Sequence, residues 1–284
     1  MSVQKVGVIG AGTIGSGVAQ DFAQAGYKVI LVDTSSDVLD LSKQKIGQNI
    51  RIQKLFNRSQ RLESSELIME NINFVVDYEL LGCCDFIVEN VPEIWDTKRQ
   101  VYTKIDNICL PHCIFAVNTS CISITKIAAI TSRRDRVIGV HFMNPVPLKN
   151  TVEVIRGYYT SEDCVNETLS LLKQLKKEAI VVNDFPGFVS NRISHLLMNE
   201  AACVVQDGVA TPLQVDEIFK KCYEHKIGPL ETADLIGLDT VVNSLDVLFE
   251  SYKDSKFRCC PLLRKMVEAG LLGRKSGQGF FKYS

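Results

Sequence analysis

The stretch KVGVIGAGTIGSGVAQDFAQAGYKVILVD, residues 5–33, decides the fold. Its opening, Lys5–Ile9, is an apolar strand pattern, and residues 29–32 (VILV) make a second. Between them Ile14, Val18 and Phe22 recur every four residues and lay one apolar stripe along a helix. The spacing predicts a β-α-β unit. Gly10, Gly12 and Gly15 form G-x-G-x-x-G directly after the first strand and at the opening of the helix. There Gly10 permits a tight turn, Gly12 lets a pyrophosphate approach the backbone, and Gly15 lets helix and strand pack closely. The N–H groups of the helix start, around Thr13 and Ile14, suit phosphate. Asp33 ends the second strand eighteen residues past Gly15, where a carboxylate accepts hydrogen bonds from ribose hydroxyls. It also repels a 2′-phosphate, and Thr34-Ser35-Ser36 supplies no arginine to hold one. The expected cofactor is NAD rather than NADP.

Further strand candidates at 74–76, 85–88, 114–117 and Val137–Phe142 alternate with helical stretches, which implies a doubly wound parallel sheet. After 180–182 the texture changes. Asp184-Phe185-Pro186-Gly187 is a turn-like break, and helical periodicity dominates from there to about Gly270. The expected organisation is α/β, a Rossmann-type doubly wound sheet domain over residues 1–183 followed by a smaller all-helical C-terminal domain over 184–284. The Gly-rich basic end, GRKSGQGFFKYS, is read as a surface turn or subunit contact in preference to a phosphate-binding loop.

Composition bounds the function. The 284 residues are 46% hydrophobic and 23% charged, with 32 Lys and Arg against 33 Asp and Glu. That apolar content excludes a disordered chain. No apolar run nears the ~20 residues of a membrane span, and near-neutrality argues against a nucleic-acid partner. The ten cysteines include no C-x-x-C pair, so no metal site is expected and reduced thiols in a cytoplasmic protein are the simpler reading. The first residues lack a signal peptide's charged-then-apolar design. A matrix protein whose targeting segment had been removed would look the same.

The candidate chemical site follows Val137–Phe142. His141 stands at the end of that apolar strand, where open α/β sheets place ligands. Glu153 lies twelve residues on, in a segment (151–155) able to return antiparallel beside it. A carboxylate against an imidazole fixes its tautomer and stabilises the imidazolium; taken alone, the pair reads equally as a buried structural histidine beside a surface glutamate. Asn118-Thr119-Ser120 would point polar groups at the same crevice, or simply cap the following helix.

In order along the chain come the glycine pattern, NTS at 118–120, GVHFMNPVP at 139–147, VEVIRG at 152–157, DFPGFVSNRI at 184–193, GPLETADLIGLDT at 228–240 and GRKSGQGFF at 273–281. Together, over essentially the whole chain, they resemble the L-3-hydroxyacyl-CoA dehydrogenase family, 3-hydroxybutyryl-CoA dehydrogenases included. The resemblance implies an NAD-dependent oxidoreductase that interconverts a 3-hydroxyacyl thioester and its 3-oxoacyl thioester. It implies His141 as general base, Glu153 as its electrostatic partner, and Ser120 and Asn191 as hydrogen-bond partners of the reacting oxygen and thioester carbonyl. Glu93, Lys98, Asn118 and Asn144 match positions that line the nicotinamide end, and a homodimer formed through the helical domain is implied as well. His195, one turn after Asn191, is read as a satisfied or exposed helix histidine, Cys121 as an inert small residue, and Trp95 as packing against the crevice wall.

Residues 38–62 carry six basic side chains, among them Arg51, Lys54, Arg58 and Arg61, against one acid, whereas 63–96 carry nine acids and no Lys or Arg. Such segregation suits a solvated helix face. By the family resemblance it is also a basic helical arm for the phosphates of coenzyme A, and an acidic acyl carrier protein would be steered to the same face. The arm lacks the Lys-Gly-Lys-like tip of many bacterial relatives. VENVPEIWDTK (88–98) and EHKIGPLETADLIGLDT (224–240) look like a polyketide-associated subgroup thought to oxidise glyceryl groups on carrier proteins toward hydroxymalonyl or methoxymalonyl extender units. The expected partner is thus an acyl-CoA or an acyl-carrier-protein thioester. A non-enzymatic, crystallin-like descendant is a third reading, against which Ser120, His141, Glu153 and Asn191 together count.

Overall fold

In the computed structural model, which describes residues 3–56 and 65–283, the chain divides into two units, Met1–Asp184 and Phe185–Ser284. The first unit alternates strands and helices: β1 (Lys5–Ile9), α1 (Thr13–Gln24), β2 (Lys28–Val32), α2 (Ser36–Phe56), α3 (Ser65–Glu70), β3 (Ile72–Val75), β4 (Phe86–Glu89), α4 (Trp95–Ile108), β5 (Ile114–Asn118), α5 (Ile124–Ala129), β6 (Val137–Phe142), β7 (Thr151–Arg156), α6 (Glu162–Gln174) and β8 (Glu178–Asn183). The strands form one sheet in the order β3-β2-β1-β4-β5-β6-β7-β8. β1 pairs in parallel with β2 on one side and with β4 on the other. The winding therefore reverses between β1 and β4, and a crevice opens beyond their C-terminal ends, the place where such sheets hold ligands.

Burial explains the pattern. β1, β4 and β5 lie inside the sheet and are almost wholly apolar, as central parallel strands are. Val6, Val8, Val29 and Leu31 pack with Val18 and Phe22 of α1 in one core cluster, each buried side chain contributing about 1.5–3 kcal/mol. α2 joins that core through Leu39, Ser42, Ile46 and Ile50, spaced three or four apart, and so turns Lys43, Lys45 and Arg51 to solvent. β7 departs from the parallel rule and runs antiparallel to β6, while β8 is parallel to β7.

The second unit is helical: α7 (Ser190–Gln206), α8 (Pro212–Cys222), α9 (Pro229–Ile236), α10 (Leu238–Tyr252) and α11 (Pro261–Glu268). Met198, Leu230, Leu238, Leu245 and Leu263 form its core. α8 starts with a capping box between Thr211 and Gln214 and with Pro212 in its first turn. Asp216 accepts the Leu230 and Glu231 N–H groups at 2.9 and 2.8 Å and so caps α9. The basic tail is a strap on this unit. The Asp234 carboxylate accepts from Phe280 N–H, Phe281 N–H and the Tyr283 hydroxyl at 3.0, 2.9 and 2.9 Å, and Lys275 pairs with Asp239. Among the described residues no helix is long and apolar enough to cross a membrane, and no three His, Cys, Asp or Glu side chains are grouped to hold a metal ion.

Candidate active site

The crevice at the β1/β4 switch is a cavity of about 710 Å³ bordered by the glycine loop, Asp33 and the segment after β4. Gly10 has a φ of +89°, and a Cβ there would lie 2.8 Å from the Asn90 carbonyl oxygen. At Gly15 a Cβ would fall 1.8 Å from the Gly10 carbonyl oxygen. Both positions therefore demand glycine. A Cβ on Gly12 would meet no atom within 4 Å, which leaves the approach to the α1 N terminus open. Thr13 and Ile14 border that space. Asp33 accepts the Ala11 N–H at 2.7 Å through one oxygen and the Ser35 N–H at 3.2 Å through the other, which fixes the carboxylate at the cavity wall with lone pairs to spare. Tyr78 and Lys104 close the far wall, the ammonium 4.4 Å over the ring. The open approach at Gly12 and the braced Asp33 carboxylate on the wall of the same cavity fit NAD: Gly10, Gly12, Thr13, Ile14 and Gly15 would hold the pyrophosphate and Asp33 the adenosine ribose.

His141 is buried near the end of β6, and the β6–β7 register places it opposite Glu153. Residues paired across strands share one face, so the pleat alone sets imidazole against carboxylate. His141 Nδ1 lies 3.1 Å from Glu153 Oε2. An ionised carboxylate only accepts, so Nδ1 carries the proton and Nε2 is left as acceptor. The Ser120 hydroxyl is 3.3 Å from Nε2. The three side chains form a relay, hydroxyl to imidazole to carboxylate, with one basic nitrogen at its working end.

A second carboxylate builds the loop that carries Ser120. Glu93 Oε1 accepts from the N–H groups of Ser120, Cys121 and Ile122 at 3.0, 2.8 and 3.1 Å, and also from the Thr119 hydroxyl. Lys98 is completely buried. Its ammonium donates to both oxygens of Glu89, at 2.9 and 2.8 Å, and to the Asn118 carbonyl at 3.0 Å. Burial pushes the Glu89 carboxyl up, against the pull of Lys98. Asn118 in turn donates from Nδ2 to Asn90 at 2.7 Å and accepts the Phe142 N–H at 3.3 Å, which stitches the ends of β4, β5 and β6 together beneath the site. Glu89 carried no signal in the sequence beyond its place in VENVPE, because a charge at a strand end is ordinarily solvated.

Asn144 is exposed in the turn after β6. Asn191 sits in the first turn of α7 in the second unit, where its carbonyl oxygen is 2.9 Å from His195 Nδ1. His195 is buried and so is a helix histidine held by its own backbone. Cys121 is buried as well, and Trp95 packs under the Lys126 ammonium, 3.7 Å from the ring centre. Of the basic arm, Arg51 is exposed on α2, whereas the Lys54 side chain, Arg58 and Arg61 lie outside the described residues.

Known proteins resemble this chain over its full length. Residues 5–185 match the family model of the 3-hydroxyacyl-CoA dehydrogenase NAD binding domain, and residues 187–283 match that of the 3-hydroxyacyl-CoA dehydrogenase C-terminal domain. A probable 3-hydroxybutyryl-CoA dehydrogenase of Bacillus subtilis is 42% identical over 100% of this chain and 98% of its own. The mitochondrial hydroxyacyl-coenzyme A dehydrogenase of Sus scrofa is 34% identical over 99% and 91%. The crystal structure of (S)-3-hydroxybutyryl-CoA dehydrogenase from Ralstonia eutropha superposes with a TM-score of 0.95 at 41% identity, covering 100% of both chains. Two consecutive family models and full-length relatives leave one assignment: the chain belongs to the 3-hydroxyacyl-CoA dehydrogenase family.

Proposed function

We propose that the protein is an NAD-dependent dehydrogenase that interconverts a short 3-hydroxyacyl-CoA, of the 3-hydroxybutyryl type, and its 3-oxoacyl-CoA. The observation that carries this reading is the Ser120–His141–Glu153 relay at the end of β6, in a chain of this family whose nucleotide crevice suits NAD. Bound NAD supplies the acceptor for the hydride from C3. His141 takes the hydroxyl proton at Nε2, and the Glu153 carboxylate, against Nδ1, stabilises the imidazolium that results. Ser120 hydrogen-bonds the reacting oxygen and orients it toward Nε2, while Glu93 holds the Ser120 backbone in place. In the reverse direction His141 returns the proton. Asn191 is the partner of the thioester carbonyl, Asn144 lines the nicotinamide end, and Lys98, buried beneath, holds the Asn118 carbonyl. The exposed basic face of α2, with Lys43, Lys45 and Arg51, is the surface for the phosphates of coenzyme A.

Val209, Leu213, Ile218 and Tyr223 are exposed apolar side chains of the helical unit, which supports a homodimer formed through that unit; light scattering that finds a monomer at micromolar concentration refutes it. Ten free cysteines support a reducing compartment such as the cytoplasm. NADH absorbance followed with acetoacetyl-CoA tests the function. Turnover is expected. No turnover, or turnover only of a carrier-protein-bound thioester, contradicts the proposal.

A further inference from the structure

Apart from the relay and the Lys98–Glu89 pair, a further buried ionic pair stands where it can act on the site. Lys177, just before β8, reaches across to α1, and its ammonium is 2.8 Å from Asp21 Oδ2. The two side chains are 4% and 8% exposed. A buried ion pair of this kind rarely adds stability over an apolar replacement, because desolvation offsets the attraction. The lysine does something more specific with its remaining donors. It donates to the Val146 and Lys149 carbonyl oxygens, both at 2.7 Å. Those two carbonyls bracket the turn that follows His141 and Asn144. The same turn rests on α1 where the helix has no side chain: a Cβ on Gly17 would lie 2.8 Å from Val146 Cβ and 3.2 Å from Pro147 Cδ.

We propose that Lys177, oriented by Asp21, is a positioning residue that fastens segment 144–149 to helix α1, and so fixes Asn144 relative to the nucleotide cradle at the start of that helix. All three of its contacts are charge-assisted. They add polar ties to the apolar packing of Val146 and Pro147 on Gly17 and so join two parts of the nucleotide site. The inference rests on the reading of Asn144 as lining the nicotinamide end. Without the ammonium, the Val146 and Lys149 carbonyls lose their charge-assisted donor, segment 144–149 keeps only weaker ties to α1, and a displacement of about 1 Å suffices to cost about a hundredfold in rate.

The test compares Lys177→Met and Lys177→Arg with the unmodified full-length protein. Lys177→Met is expected to lower kcat at least tenfold, with KM for acetoacetyl-CoA within threefold. Amide hydrogen exchange, measured without cofactor, is expected to accelerate in 143–149 and not elsewhere in the first unit. Lys177→Arg is expected to recover most of kcat, because the 480 Å³ cavity beside the pair, bordered by Gln53 and Asn150, admits the larger head group. Lys177→Gln, too short to bridge both carbonyls, replaces the methionine variant if that one does not fold. Unchanged kcat and exchange, or exchange that rises evenly through the unit, overturns the proposal. Failure of both neutral variants to fold overturns it too, since Lys177 would then hold the whole unit. An unmodified protein inactive on acetoacetyl-CoA refutes the functional reading instead, and the exchange pattern still decides the fastening.

Discussion

Replacing Glu153 by Gln isolates the charge of the relay from its shape. The two side chains have nearly the same volume, and the amide oxygen can still accept the Nδ1 proton across the 3.1 Å contact, so the histidine keeps its tautomer. What disappears is the attraction between a carboxylate and the imidazolium that forms as the proton leaves substrate. Both side chains are below 10% exposed. At an effective dielectric of ~20, opposite unit charges at that distance attract by about 5 kcal/mol, and the surviving hydrogen bond from the imidazolium to the amide oxygen returns about 2 kcal/mol. The net loss of about 3 kcal/mol falls on the transition state, which corresponds to roughly a hundredfold in kcat. The assay is steady-state NADH absorbance with acetoacetyl-CoA, alongside NADH binding by fluorescence. Binding is expected to stay within threefold, because Glu153 lies on β7, away from the glycine loop. A variant with kcat within threefold of the parent, or one that loses turnover and NADH affinity in parallel, refutes the reasoning.

Three further outcomes follow from the same geometry. Asp33→Ala removes the carboxylate at the ribose end of the cavity and the brace it gives the Ala11 N–H; NAD affinity is expected to fall at least tenfold while NADP use changes little, and equal use of both by the parent protein contradicts this. Asp234→Asn keeps one acceptor for the tail but loses the charge that takes three donors, so unfolding free energy should drop by about 1–3 kcal/mol, with earlier proteolysis of the C-terminal segment; unchanged melting and cleavage oppose it. Asp21 yields a pH signature. Burial, resisted by Lys177, pushes its carboxyl from 3.8 up to about 6. The folded state therefore binds the extra proton between those values, and stability decreases as pH rises through about 6, by up to about 3 kcal/mol. Urea denaturation of Asp21→Asn and parent at pH 4.5 and 7.5 checks the sign, since the gap should move in favour of the variant at the higher pH.

What the chain discloses before folding depends on how far apart the interacting residues lie. The β1–α1–β2 unit is legible because strand period, helix period and glycine spacing all sit inside thirty residues. The His141–Glu153 contact is nearly as legible, since one short return of the chain sets both on the same face of a strand pair. Position along β3, β4 and β8 is less sharply written, and those strands begin or end a residue or two from the apolar runs that mark them. Glu93 shows the limit. Its place invites a role at the nicotinamide end, yet its four donors lie 26 to 29 residues further on, and only the parallel β4–β5 pairing brings them to it. Lys177 and Asp21 are 156 positions apart, and no local pattern announces their meeting. The basic arm splits the same way, since the buried stripe of Leu39, Ser42, Ile46 and Ile50 accounts for which lysines face water but not for what they bind.

The central claim, that His141 is the base of an otherwise complete nucleotide-binding dehydrogenase, is tested most directly by His141→Ala measured for turnover and NADH binding on the same preparation. General-base catalysis is worth about 10²–10⁴-fold. A loss in kcat within that span, with the NADH dissociation constant within threefold of the parent, is the predicted result. Turnover retained to within a few-fold contradicts the account.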